Sequence, residues 1–160
     1  MYRTGHYGAA LVLYAPLGAA LLVADLTALA VVGGGLSLAL SSLPDVDTRL
    51  PFLAHRGPTH SVAFALAVGT TLGAAGALAG IDASLERAAL FGVVACLVGV
   101  TAVVSHLLAD VLTPMGIRPW WPLSERHYTF AVTRADNSVA NYALLSVGVL
   151  LCVGALTVAR

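Results

Sequence analysis

Apolar residues dominate this chain in long blocks, and short polar segments separate the blocks. A helix that spans a membrane needs about 20 mostly apolar residues, and five blocks are of suitable length and composition. They predict an all-α, polytopic helical bundle with five transmembrane helices. No linker or internal repeat divides the sequence, so we treat residues 1–160 as one domain. The predicted spans are residues 7–24, 26–43, 61–81, 88–112 and 139–159.

The composition strengthens the case for a membrane environment. Hydrophobic residues make up 59% of the chain and charged residues 10%, whereas soluble domains have about 45–50% and about 25%. A soluble protein of 160 residues could not bury so much apolar surface, so a lipid bilayer is the expected partner. All 8 basic residues are arginines and they form no basic run, so the sequence gives no sign of nucleic-acid binding.

Two connections between spans, residues 44–60 and 113–138, are long and rich in polar residues. Five alternating spans place both connections on the same side as the amino terminus, together with most of the arginines. The positive-inside rule then predicts that this side faces the cytoplasm from the inner membrane. Trp120, Trp121 and Tyr128 favour the headgroup region, so we expect the second connection to lie along the membrane interface.

The same alternation of spans gathers histidines and aspartates at one membrane face. His106 and Asp110 are spaced i, i+4 and therefore share one face of the fourth helix. An imidazole and a carboxylate in that arrangement can meet one metal ion. Asp45 and Asp47 follow the second span and offer oxygen ligands. Taken separately, each pair also fits a structural explanation, namely a hydrogen-bonded pair that packs helices or an ordinary turn.

The segment HRGPTHS precedes the third span and carries His55, Arg56 and His60. Pro58 suits the first position of the third helix, with Thr59 as the alternative cap, and either places His60 in the first turn. The N–H groups at a helix amino terminus suit phosphate, and Arg56 can bind a phosphoryl oxygen through two N–H groups. An interfacial basic loop that touches lipid headgroups is the alternative.

The combined set of side chains matches the nitrogen and oxygen ligands of zinc or manganese sites. Its size predicts either two ions or one ion with a separate acid–base group. Zinc is the favoured metal and manganese the alternative. His6, at the start of the first span, lies on the same face, whereas His127 is expected to be a solvated loop residue. Asn141 is not assigned to the site.

The chain resembles the YdjM-like family of membrane-bound metal-dependent hydrolases. The similar pieces are residues 5–6, 43–47, 55–61, 105–116 and 121–122, which follow one another through nearly the whole chain. The segments HRGPTHS and SHLLADVLTPMG are the most specific. The family is also distantly similar to the zinc-dependent phospholipase C and P1-type nuclease superfamily, in which an HxxxD helix supplies metal ligands.

The resemblance implies an inner-membrane hydrolase and a set of metal ligands. Asp47 and His55 would be further ligands or would support the ligands. Our own expectation is that Asp47, His55 and Arg56 are catalytic, with an aspartate, Asp45 or Asp47, as the base or bridging ligand. The metal ligands that the resemblance implies are His6, Asp45, His60, His106 and Asp110.

We therefore expect a metal-dependent phosphoesterase that acts on a lipid or lipid-linked phosphate at the membrane face. Two alternatives share the ligand set: a non-catalytic membrane scaffold or regulator with a structural metal, and a metal-ion transporter. The oligomeric state is not predicted, because the small-residue stripe of the third span could pack within the chain or between chains. That stripe consists of Gly69, Gly73, Gly76 and Gly80.

Overall fold

A computed structural model describes residues 1–50, 52 and 55–158, and this part of the chain is helical with no strand. Five helical segments are long and apolar enough to cross a membrane, and the second of them extends from Thr27 to Arg49. Two short 3-10 helices, Pro44–Arg49 and Pro58–His60, lie between the second and third α-helices. The α-helices are α1 (Arg3–Val23), α2 (Thr27–Leu40), α3 (Val62–Ile81), α4 (Leu85–Val111) and α5 (Ser138–Val158).

The five predicted spans are confirmed in number and order, while several boundaries differ. Helix α1 begins at Arg3 rather than at residue 7, so it includes His6 within its first turn. Helix α2 ends at Leu40, because the following residues turn into the 3-10 helix that begins at Pro44. The predicted last residue of the fifth span, Ala159, lies outside the described residues, as does Arg160.

The third helix does not begin where the sequence predicted. Pro58 opens the short 3-10 helix instead, and Ser61 caps α3 by accepting a hydrogen bond from the Phe64 backbone N–H at 3.2 Å. His60 therefore precedes the helix rather than lying in its first turn. The change is consistent with local chemistry, since a serine hydroxyl satisfies a free N–H group at a helix start.

The helices pack as two close pairs, α3 against α4 and α1 against α5, while α2 contacts α1 and α4. The glycine stripe of α3 lies on α4, so it packs within the chain. A Cβ atom added to Gly76 would lie 2.5 Å from the Phe91 carbonyl oxygen. Glycine thus permits an approach of helix backbones that a larger residue would prevent.

The antiparallel order of the helices brings the ends that carry the polar segments together. The start of α1, both 3-10 helices, the start of α3, the end of α4 and the start of α5 meet at one end of the bundle. Within the connection after α4, Ile117 and Tyr128 form paired backbone hydrogen bonds, and the Phe130 backbone N–H donates to the Val111 carbonyl oxygen at the end of α4. The exposed apolar side chains of this connection, among them Leu123 and Phe130, suit contact with the lipid interface.

Candidate metal centre

Four candidate ligands from separate segments meet at the polar end of the bundle. Asp45 belongs to the first 3-10 helix, His60 to the second, and His106 and Asp110 to the last turns of α4. One ligand atom from each residue lies within 4.8 Å of the others, so the group could hold a metal ion. Three of the residues are almost fully buried, whereas the Asp45 side chain is 35% exposed.

Five of the six distances between the ligand atoms are close to those of a small tetrahedral site. His60 Nε2 and His106 Nε2 are 3.2 Å apart, and Asp110 Oδ2 lies 3.5 Å from each of them. Asp45 Oδ1 lies 3.6 Å from His60 Nε2 and 3.5 Å from His106 Nε2. A tetrahedral ion with ligands at about 2.0–2.1 Å would separate them by about 3.3 Å. The residues therefore fit a small divalent ion.

The hydrogen bonds of the two histidines leave Nε2 of each ring free to bind a metal ion. His106 Nδ1 lies 2.7 Å from the Ser41 carbonyl oxygen, which can only accept, so Nδ1 donates. His60 Nδ1 lies 3.1 Å from the Thr59 hydroxyl, which itself donates to Asp47 and therefore accepts from Nδ1. Each neutral ring then presents the Nε2 lone pair to its partner across 3.2 Å. Such second contacts commonly orient histidines that bind metal.

Asp47 lies behind the four ligands and anchors the segment that carries two histidines. Its Oδ1 is 2.9 Å from His55 Nδ1. Its Oδ2 accepts from the Arg56 backbone N–H at 2.9 Å and from the Thr59 hydroxyl at 3.0 Å, and it lies 3.2 Å from His60 Nδ1. A second possible metal group, formed by Asp45, Asp47 and His55, depends on these same oxygens. Because both carboxylate oxygens of Asp47 already accept hydrogen bonds, the geometry favours a role in supporting the ligands over direct metal binding.

Arg56 is directed into the protein rather than toward an open phosphate site. Its Nη2 lies 3.0 Å from Asp110 Oδ1, and Nη1 donates to the Thr113 hydroxyl at 3.1 Å and to the Gly116 carbonyl oxygen at 2.8 Å. The residue adopts a positive φ of 59°, a backbone conformation that is uncommon for residues other than glycine. Its contacts hold one oxygen of Asp110, so the other oxygen faces the two histidines.

His6 lies beside the group of four but is not a member of it. Its ring stacks on His106 with centroids 3.8 Å apart and an interplanar angle of 5°. Its Nε2 is 3.6 Å from Asp110 Oδ1, the oxygen that also contacts Arg56 and the Met1 nitrogen. Its Nδ1 is buried and has no hydrogen-bond partner among the described residues. His6 thus packs against one candidate ligand, His106, and lies near Oδ1 of another, Asp110.

The carboxylates around His60 favour the protonated form of its imidazole. Burial alone would lower the pKa of His60, but the contacts with Asp110 and Asp45 outweigh it and raise the pKa above its ordinary value. A proton and a metal ion compete for such an imidazole. The same carboxylates that favour the protonated ring would also attract a divalent cation.

Some residues that build this end of the bundle were missed by the sequence analysis. Asn141 is fully buried, and its Oδ1 accepts from the Tyr2 backbone N–H at 3.1 Å, beside the helix turn of His6. The Ser41 carbonyl oxygen that orients His106 belongs to the backbone, so no side chain could have signalled it. A buried polar residue one turn into an apolar helix was the available signal for Asn141. His127, in contrast, is an exposed loop residue, as predicted.

Residues 1–159 match the model of the YdjM inner membrane protein family. The chain belongs to this family. Membership and five apolar helices together identify a multi-pass membrane protein whose environment is a lipid bilayer. Comparisons with curated proteins and with solved structures found no match. The YdjM match contains no link to the zinc-dependent phospholipase C and P1 nuclease superfamily, and that similarity stays a prediction.

Proposed function

We propose that this YdjM protein is a membrane-bound, metal-dependent hydrolase of phosphoester bonds in a lipid or lipid-linked substrate. The observation that supports it best is the set of four ligand atoms from Asp45, His60, His106 and Asp110, converging at one end of a membrane bundle. Nitrogen and oxygen ligands without cysteine suit zinc, with manganese as the alternative. We further propose that residues 1–160 act as one domain, with this end in the cytoplasm.

A bound divalent ion would supply Lewis acidity and lower the pKa of a water molecule toward neutrality. The remaining roles belong to side chains of the chain itself. His55 is 43% exposed, and its Nδ1 lies against Asp47, so its Nε2 can accept or donate a proton at the surface of the site. Asp47 fixes the orientation of His55 and His60. Arg56 holds Asp110, and we assign it this positioning role in place of the predicted phosphoryl clamp.

A structural metal in a non-catalytic scaffold is the second candidate. Four protein ligands are typical of structural zinc, whereas catalytic zinc usually keeps one position for water. The exposure of Asp45 favours the hydrolase, because its carboxylate borders the outside and can leave room for a substrate. Neither role needs an ionisable group at the bilayer midplane, which a transporter would be expected to use.

Phosphate release from phosphatidic acid by the purified chain tests the hydrolase proposal. The metal-loaded protein should release phosphate, and chelation should stop the release until zinc or manganese returns. His106→Ala and Asp110→Ala should be inactive while still purifying as inserted, helical protein, and His127→Ala serves as the matched control. Phosphate release by both ligand variants at the wild-type rate would exclude the assigned site. Loss of folding on chelation, without hydrolysis of any lipid phosphate tested, would favour the structural metal.

A further inference from the structure

A polar cavity of about 310 Å³ lies between the start of α1 and the first 3-10 helix. Arg3, Ser42, Asp45, Thr48 and Arg49 contribute to its lining. Asp45 is also the most exposed of the four candidate metal ligands. Asp45 thus belongs both to the lining of this cavity and to the metal centre.

Two arginines and one carboxylate, that of Asp45, give the described lining of this cavity a net positive charge. The arginine–carboxylate ion pairs of the described residues involve Arg56, Arg118 and Arg134, and none involves Arg3 or Arg49. Arg3 donates to the Tyr7 hydroxyl at 2.9 Å, which uses one of its five N–H groups. Both guanidinium groups are thus available to bind an anion that enters the cavity.

The charges that line the cavity point to the class of anion. Arg3 and Arg49 carry two positive charges, which match a doubly charged ligand, and a divalent ion would offset the negative charge of Asp45. Guanidinium groups match phosphoryl oxygens in geometry because their N–H groups can bind two oxygens side by side. The cavity lies where α1 begins and the second apolar span ends, which is the depth of lipid headgroups.

We propose that Arg3 and Arg49 form a phosphoryl-binding subsite at the opening beside Asp45. This inference rests on the proposed function in that it places the phosphoryl group of the substrate next to the metal centre. It replaces Arg56 as the phosphoryl clamp, since the Arg56 guanidinium already contacts Asp110, Thr113 and Gly116. The ligand chemistry is a phosphoryl dianion, which either a lipid headgroup or free phosphate could supply.

Two binding measurements on the full-length, metal-loaded chain test the subsite. Calorimetric titration with inorganic phosphate probes the free anion, and native mass spectrometry probes phosphatidic acid in competition with phosphatidylcholine. Arg3→Gln, Arg49→Gln and the double variant should weaken the binding of at least one probe by about tenfold or more, since charge-assisted hydrogen bonds are lost. Arg118→Gln is the matched control, because Arg118 is exposed and lies outside the cavity. Circular dichroism checks that each variant is folded.

The outcome for each probe identifies the source of the phosphoryl group. Arginine-dependent binding of phosphatidic acid indicates a lipid headgroup, and arginine-dependent binding of inorganic phosphate alone indicates a free anion; both support the subsite. Wild-type protein that binds neither probe, or variants that bind them as tightly as wild type, would overturn it. Metal content separates this result from the proposed function, because loss of metal from His106→Ala does not depend on either cavity arginine.

Discussion

At the scale of single residues, Asp47 supports the metal centre without belonging to its group of four. It contacts His60 Nδ1 and His55 Nδ1 through different oxygens. Removing its charge in Asp47→Asn should leave the four ligands present but weaken metal affinity about 10–100-fold, as second contacts to ligands commonly do. Competition with a metal-binding dye measures the affinity.

Asp82→Asn is the control for this prediction, because Asp82 is an exposed residue in the turn at the opposite end of the bundle. Complete loss of metal from Asp47→Asn would mean that Asp47 is itself a ligand. An unchanged affinity would mean that its hydrogen bonds to the histidines do not influence the site.

The raised pKa of His60 predicts that its contribution to the stability of the metal-free protein and the stabilisation by metal change with pH in opposite directions. A protonated His60 stabilises the metal-free protein below the pKa of an unfolded histidine, and this stability is lost as pH rises through the raised pKa of the folded state. Metal binding requires the deprotonated ring, so the stabilisation by zinc should grow over the same rise in pH. Thermal unfolding across this range, with chelator or with zinc, measures both slopes. Parallel slopes would contradict the role of His60 as a ligand.

At this scale, residue type and spacing were enough to predict which side chains lie together. The i, i+4 pair His106 and Asp110 was identified because one face of a helix must present both side chains. The direction of Arg56 could not be identified, since it depends on a positive φ and on a carbonyl oxygen 60 positions away. The charge of Arg56 suggested a substrate contact, while its packing places the guanidinium on Asp110.

At the scale of helices, glycine determines how closely α3 and α4 approach. A side chain at Gly76 would meet the Phe91 carbonyl oxygen, which belongs to the backbone and cannot rotate away. Gly76→Val should therefore separate the helix pair and lower the unfolding temperature of the purified protein. Gly35→Val in α2 is the matched control, because a Cβ atom there meets nothing within 4 Å. Equal unfolding temperatures for the two variants would contradict close packing at Gly76.

The number of helices followed from the sequence because each apolar block is long enough to cross a bilayer. The residues at which the helices begin and end did not follow from the sequence in the same way, as the region between α2 and α3 illustrates. Both Pro58 and Ser61 are acceptable helix-start residues, and the choice depends on tertiary contacts. Thr59 and His60 both contact Asp47, which favours the 3-10 turn over an extended α3.

At the scale of the whole molecule, the bundle places its polar end at one membrane face. The arginine distribution predicts that this face is cytoplasmic. A single cysteine introduced at Glu125, in a background without Cys96 and Cys152, should resist a membrane-impermeant thiol reagent in intact cells and react after lysis. A cysteine at Asp82, in the turn at the opposite end, should react in intact cells. The reverse pattern would contradict the predicted orientation.

The proposed function requires that Asp45, His60, His106 and Asp110 bind a divalent metal ion at this face. Elemental analysis of the purified chain, beside the double variant His106→Ala/Asp110→Ala, measures this binding. Wild-type protein should contain about one equivalent of zinc or manganese for the four-ligand group, and the folded double variant should lose it. Wild-type protein without metal above background after reloading, or a double variant with the same metal content, would show that these residues do not form a metal site.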